Sequence, residues 1–444
     1  MNTKLTEIPG SIVAPQGFRA SGVFCDIKRL GTGHGSAKGG KRDLALIVSN
    51  VPARVAGMFT TNQACAAPVQ VCRQRVKRGA AQAIVVNSGN ANACTGQQGL
   101  RDALEMVRFT EQALALPAGL ALVGSTGRIG VTLPMDNVRA GIIEGAVALG
   151  ATPDHADQAM EAMMTSDTRP KQLAVQFKLG GRTVRLGGLC KGAGMIQPGM
   201  SATGKRPAAA APHGTMLCFL TTDAALAAKA LQAALQAAVA KSFNRITVDG
   251  DLSTNDTVLV LANGLAAGPK SEVRNRQSKE FAVFEAALSH VCLELAKMVV
   301  RDGEGASRFV TVRVKGAESF AAADAAARAV ANSALVKTSW HGGDPNWGRI
   351  MAALGYSPAT VVEDKVDIGY SAPGSRQVLW SLKHGQPTGA AFRELCAAVA
   401  PREFDLHINL NLGHAGALMY AADLTEAYVQ FNKGDVSDPK SLGG

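Results

Sequence analysis

A threonine that follows a glycine and opens an apolar strand is the residue of this chain best suited to chemistry. Gly214-Thr215 runs into MLCFLTTDA, and a lysine- and glycine-rich turn, KGAGMIQP (191–198), leads toward it. If the peptide bond before Thr215 is cut, one residue carries both a hydroxyl and a free α-amine. An α-amine titrates near pH ~7.7–8.0, close to what a general base needs. The new N-terminal threonine supplies its own base, a known way to activate a weak hydroxyl nucleophile. The arrangement reads as a self-cleavage site between Gly214 and Thr215.

Other stretches could assist. VGSTGRIGVTLPMD (123–136) sets Ser-Thr-Gly after a strand and before a helix. Backbone N–H groups of such a turn, with a threonine hydroxyl, can converge on an anion as an oxyanion hole does; an ordinary turn is the plainer alternative. RDGEGAS (301–307) puts Glu304 between glycines just past a helix, where a carboxylate could grip a substrate ammonium or merely sit in a solvated helix end. VDGDLSTNDT (248–257) holds Asp249, Asp251 and Asp256, but the spacing misses the EF-hand pattern, so a strand-to-strand turn is expected. GTGHGSAKGGKR (31–42) imitates a phosphate loop, yet Arg42 stands where a magnesium-binding hydroxyl belongs and a strand follows instead of a helix. No nucleotide site is expected there.

These groups need a scaffold. Short apolar runs at 43–49, 83–89, 216–220 and 309–316 read as strands, and 172–189 as a hairpin turning at Gly180-Gly181. Helical periodicity covers 99–116, 136–149 with Asp136 as its cap, an alanine-rich 223–243, and 278–301. Strands and helices mix without a regular βαβ rhythm, which points to α+β layering. SATGKRPAAAAPHG (201–214) is low in complexity and reads as a surface loop.

At 444 residues the chain exceeds one ordinary core. No apolar run approaches the ~20 residues that span a bilayer. The N-terminal stretch has no secretory apolar region, so a cytoplasmic location is expected. Eight scattered cysteines form no C-x-x-C pair and read as reduced, mostly buried thiols. The net charge of +11 suits anionic small molecules, whereas Arg73, Arg75, Lys77 and Arg78 lack the interleaved aromatics of a nucleic-acid module. Neither nucleic acid nor membrane is an expected partner.

NSGNANACTG (87–96), GSTGRIG (124–130), KGAGMIQP, TMLCFLTTDA, SFNRITVDGDLSTNDT (242–257) and DPNWGRI (344–350) together resemble the ornithine acetyltransferase (glutamate N-acetyltransferase) family of arginine biosynthesis, over nearly the whole chain. The resemblance implies an αββα-like sandwich and self-cleavage into an alpha chain, 1–214, and a beta chain, 215–444. It implies Thr215 as nucleophile, Thr126 and Gly127 as oxyanion hole, and substrate contacts at Thr168, Lys191, Thr215, Glu304, Asn432 and, by spacing, Ser437. The implied reaction moves an acetyl group from N-acetylornithine to glutamate through an acetyl-threonine, with no metal or bound cofactor. Acetyl-CoA serves as donor in some members, and a heterotetramer of two alpha and two beta chains is the implied assembly. Two departures stand out: an insertion separates Met200 from Thr215 with glycine in place of alanine before the threonine, and FNKGDVSDPKSLGG replaces the family's usual ending. A self-processed amidohydrolase or aminopeptidase, or a paralogue with another acyl donor or acceptor, is the alternative.

Overall fold

Strand β8, Leu217–Thr222, is apolar on both faces because both are covered. Leu217 and Phe219 enter one hydrophobic core, while Cys218 and Leu220 enter another on the opposite side. This follows from the two-residue period of a strand buried on both faces, one toward the helices of its core and the other toward strand residues such as Gly124, where a Cβ would meet Phe219 and Leu217.

The computed structural model describes residues 4–28, 40–205, 216–267 and 272–433. Gly214, Thr215 and Ser437 lie outside these residues, as do most of the phosphate-loop mimic, the later part of the 201–214 loop and the divergent ending.

The chain is an α+β sandwich with two mixed sheets. The first comprises β1 (Thr6–Glu7), β2 (Phe18–Val23), β3 (Leu44–Phe59), β4 (Ala80–Asn90), β5 (Ala121–Arg128), β6 (Gln172–Leu179), β7 (Arg182–Lys191), β8 and β10 (Thr257–Ala262). Its order is β1-β6-β7-β8-β10-β3-β4-β5, with β2 paired to β3. Helices Ala67–Val76, Gly96–Ala113, Met135–Val147 and Pro153–Met163 supply one core, and Ala228–Lys241 and Lys279–Arg301 the other. The second sheet takes β9 (Ile246–Thr247), β11 (Phe309–Ala317), β12 (Asp367–Ser371), β13 (Leu379–Lys383), β14 (Gln386–Pro387), β15 (Glu403–Asn409) and β16 (Ala415–Ala422), ordered β14-β13-β12-β15-β11-β16-β9, around its own core.

Local chemistry explains several boundaries. Gly180 and Gly181 adopt φ of 55° and 81°, as a two-residue hairpin between β6 and β7 requires. Ser278 caps Lys279–Arg301 by accepting from the Phe281 N–H. Asp136 is not the cap expected of it. Pro134 occupies that position, and Asp136 lies in the first turn, where a carboxylate acts only on the helix dipole. The alanine-rich helix starts at Ala228 rather than Asp223, because Asp223 is spent on the Arg185 and Gln16 N–H groups at 2.8 and 3.1 Å. Residues 248–256 do form the turn between β9 and β10. Cys25, Cys72, Cys190, Cys218 and Cys292 are buried free thiols, while Cys94 is exposed. Among the described residues no helix is long and apolar enough to cross a membrane.

Candidate active site

The C-terminal ends of β5 and β7 bring Thr126 and Lys191 together. The Lys191 Nζ donates to Thr126 Oγ1 at 3.1 Å and to Thr165 Oγ1 at 2.7 Å. Thr126 and Lys191 are 2% and 3% exposed, so the bond between them is shielded from competing water. Because Thr126 Oγ1 accepts from Lys191, its own proton remains available to donate elsewhere. Gly127 follows at a register shift between β4 and β5, with φ of 129°. A Cβ there would come within 2.3 Å of the Gly89 backbone, so only glycine fits.

A buried row of alternating charges stands behind Lys191. Asp167 accepts from Lys171 Nζ at 2.6 Å and from the Gly192 N–H at 2.8 Å, and its second oxygen lies 3.9 Å from Lys191 Nζ. Asp302 accepts from Lys171 Nζ at 2.5 Å. Burial alone would raise the Asp167 carboxyl, but Lys191, Lys171 and the Gly192 N–H outweigh it and hold it well below the usual range. Burial would lower Lys171, but Asp167 and Asp302 more than offset it and its ammonium is strengthened. For Lys191 burial wins over Asp167, leaving an ammonium that gives up its proton more readily than usual.

Thr168 faces this row rather than Lys191. Its hydroxyl and N–H both donate to Asp302, the latter at 3.1 Å. Thr165, which the sequence reading passed over, is the hydroxyl that meets Lys191.

The turn after Lys191 leads to the other side of the site. The Glu304 N–H donates to Ala193 O at 2.9 Å, and a Cβ on Gly194 would fall 2.3 Å from the Glu304 carboxylate. Asn432 Nδ2 donates to Glu304 Oε2 at 3.0 Å. Asp249 holds the same turn by accepting from the Met195 and Ile196 N–H groups at 2.6 and 2.8 Å. Lys191, Thr126 and Gly127 thus form one wall, and Glu304 and Asn432 another, joined by the turn 192–194. The Glu304 carboxylate is near enough to act on the Lys191 ammonium, and two opposite charges so placed suit a ligand that carries both, such as an amino acid.

A family described as the ArgJ family matches residues 22–434. The chain belongs to the ArgJ family. It is 47% identical to a protein named arginine biosynthesis bifunctional protein ArgJ from Symbiobacterium thermophilum, over 96% of this chain and 98% of that protein. It is 41% identical to a glutamate N-acetyltransferase from Methanocaldococcus jannaschii, again over 96% and 98%. A crystal structure of ornithine acetyltransferase complexed with ornithine, from Mycobacterium tuberculosis, shares 36% identity over 45% of this chain and 100% of that one, with a TM-score of 0.40. In this ArgJ-family chain the sequence signals for the missed residues were weak. TSDTRPK offers Thr165 and Thr168 alike, and only the placement of Asp302 from a distant helix end separates their roles.

Proposed function

We propose that this protein is a self-processing acetyltransferase that moves an acetyl group from N-acetylornithine to glutamate through an acetyl ester on Thr215. The observation that carries the reading is the Lys191 ammonium bridging Thr126 and Thr165 at the end of β7, the strand antiparallel to the one that opens at Leu217. In maturation, Thr215 Oγ attacks the Gly214 carbonyl carbon and the C–N bond breaks as the nitrogen takes the hydroxyl proton. Water then cleaves the ester, leaving a Gly214 carboxylate and a Thr215 with a free amine and hydroxyl. In turnover, that amine takes the hydroxyl proton, Oγ attacks the acetyl carbon, and the ornithine amine leaves with the proton. The glutamate amine attacks the acetyl ester and restores the hydroxyl. The Gly127 N–H and Thr126 hydroxyl stabilise the developing oxyanion. Lys191 orients the Thr126 hydroxyl, and Thr168, Glu304, Asn432 and Ser437 complete the substrate contacts.

The two products, 1–214 and 215–444, stay together in this reading because β8 lies between β7 and β10, paired to both. The mature form is a cytoplasmic heterotetramer of two alpha and two beta chains, and acetyl-CoA serves as a second donor.

Fragment masses from purified protein test the maturation. A break at Gly214-Thr215, abolished in Thr215→Ala, is expected; a break before Thr203 sinks the assignment. Ornithine release from N-acetylornithine should require glutamate, and release at full rate without it would make the protein a hydrolase.

A further inference from the structure

One buried carboxyl beside the proposed nucleophile has no part in that mechanism. Asp256 is fully buried, and its Oδ1 accepts from the backbone N–H of Met216, the residue joined to Thr215 by one peptide bond. Its Oδ2 is buried and has no hydrogen-bond partner among the described residues. The neighbouring Asn255 is equally committed. Its Nδ2 donates to Ala91 O at 2.7 Å and to Ser125 O at 2.9 Å, and its Oδ1 accepts from the Thr254 hydroxyl at 2.5 Å. Ser125 directly precedes Thr126. Two adjacent side chains therefore reach the two strands that must meet for the reaction, β8 and β5.

We propose that Asn255 and Asp256 are a positioning clamp for both self-cleavage and acetyl transfer, Asn255 fixing the oxyanion strand and Asp256 fixing the peptide after the nucleophile. This rests on the reading of Thr215 as nucleophile. A planar peptide transmits the direction of the Met216 N–H to the residue before it, so the Asp256 bond sets the orientation from which the hydroxyl attacks. The backbone reinforces the clamp. Thr257 N–H donates to Met216 O at 2.9 Å, and Thr60 N–H donates to Asp256 O at 2.8 Å. Burial pushes the Asp256 carboxyl well above the ordinary carboxylate range, against the opposing pull of the Met216 N–H and Lys191 and with a small push from Cys190. When protonated, the carboxyl still keeps one acceptor for Met216 and places no anion beside a nucleophile that must itself become negative.

The test compares Asp256→Asn, Asp256→Ala and Asn255→Ala in the full-length precursor, reading the rate of fragment appearance, kcat and KM. Asp256→Asn keeps an acceptor oxygen and should cleave and turn over near the wild-type rate with an unchanged pH profile. Asp256→Ala and Asn255→Ala should each lose about tenfold or more in cleavage rate and kcat, with KM little changed, as expected of lost alignment. Wild-type rates in a folded Asp256→Ala overturn the clamp. So does an Asp256→Asn loss as large as that of alanine, which would mean an ionised base. If Asp256→Ala does not fold, the soluble Asp256→Asn still decides, because a loss of about tenfold there contradicts an uncharged role. Failure of the nucleophile reading is seen separately, as cleavage or turnover surviving in Thr215→Ala.

Discussion

The two walls of the site are built differently. Thr126, Lys191 and Asp167 project from strand ends or the segment just before β6, are nearly dry, and are locked by charge-assisted bonds inside a sheet covered on both faces. Glu304 lies after the end of helix Lys279–Arg301, and Asn432 caps the end of helix Glu426–Phe431; both are reached by solvent. A low-dielectric wall strengthens every interaction aimed at a developing charge, whereas a wet wall can only discriminate among ligands. The difference suggests that the first wall serves the reaction common to all substrates and the second serves substrate choice.

The largest expected effect is on the buried wall's integrity. Asp167→Asn leaves Lys171 with one anion and Lys191 with none so close, and breaking such a buried set costs about 3–5 kcal/mol. Denaturant melts measure it. The Asp167 carboxyl is held low in the folded protein, so its stabilisation is present above the unfolded value, about 3.9, and is lost as pH falls toward the folded one. Wild type should therefore lose stability below that pH more steeply than Asp167→Asn. Equal acid slopes would show that Asp167 contributes no such linkage.

Next comes Thr126→Val, which keeps the shape but removes the hydroxyl. A lost oxyanion donor costs about 10²- to 10³-fold in kcat, with KM nearly unchanged. A pure KM effect would move Thr126 to the substrate-choosing wall and dissolve the contrast. Glu304→Gln should do the reverse. It removes charge from a hydrogen bond worth about 1.5–3 kcal/mol, so KM for the amino-acid substrate should rise about tenfold or more while kcat holds. If kcat falls as far as kcat/KM, Glu304 belongs to the transition-state machinery instead.

The buried wall was the harder one to read from residues alone. The glycine turn at 180–181, the Ser278 cap and the apolar strands follow from local rules, because each depends on neighbours a few positions away. GSTG and KGAG were visible as motifs, but their meeting through Lys191 and Thr126 joins the ends of β5 and β7, two strands that are not neighbours in the sheet order. That Thr165 rather than Thr168 meets Lys191 is decided by Asp302, which takes the Thr168 hydroxyl from more than a hundred positions away in sequence. Local spacing holds no trace of that carboxylate. Asp136 failed as a cap for a local reason, since Pro134 fixes the chain two positions earlier.

The smallest effect probes how the wet wall is tied to the dry one. Tyr428 donates its hydroxyl to Asp249 Oδ2 at 3.3 Å, and Asp249 also holds the turn that follows Lys191 through the Met195 and Ile196 N–H groups. Met195 sits at φ of 55°, a conformation that a non-glycine residue keeps only when its surroundings enforce it. The two backbone bonds to Asp249 are shorter and do that work, so Tyr428→Phe should cost only about 0.5–1.5 kcal/mol of stability. KM and kcat should stay close to wild type, because the turn keeps its anchor while the last helix gains freedom. Should kcat fall tenfold instead, the helix bearing Asn432 is coupled to Lys191 through Asp249, and the two walls act as a single rigid body.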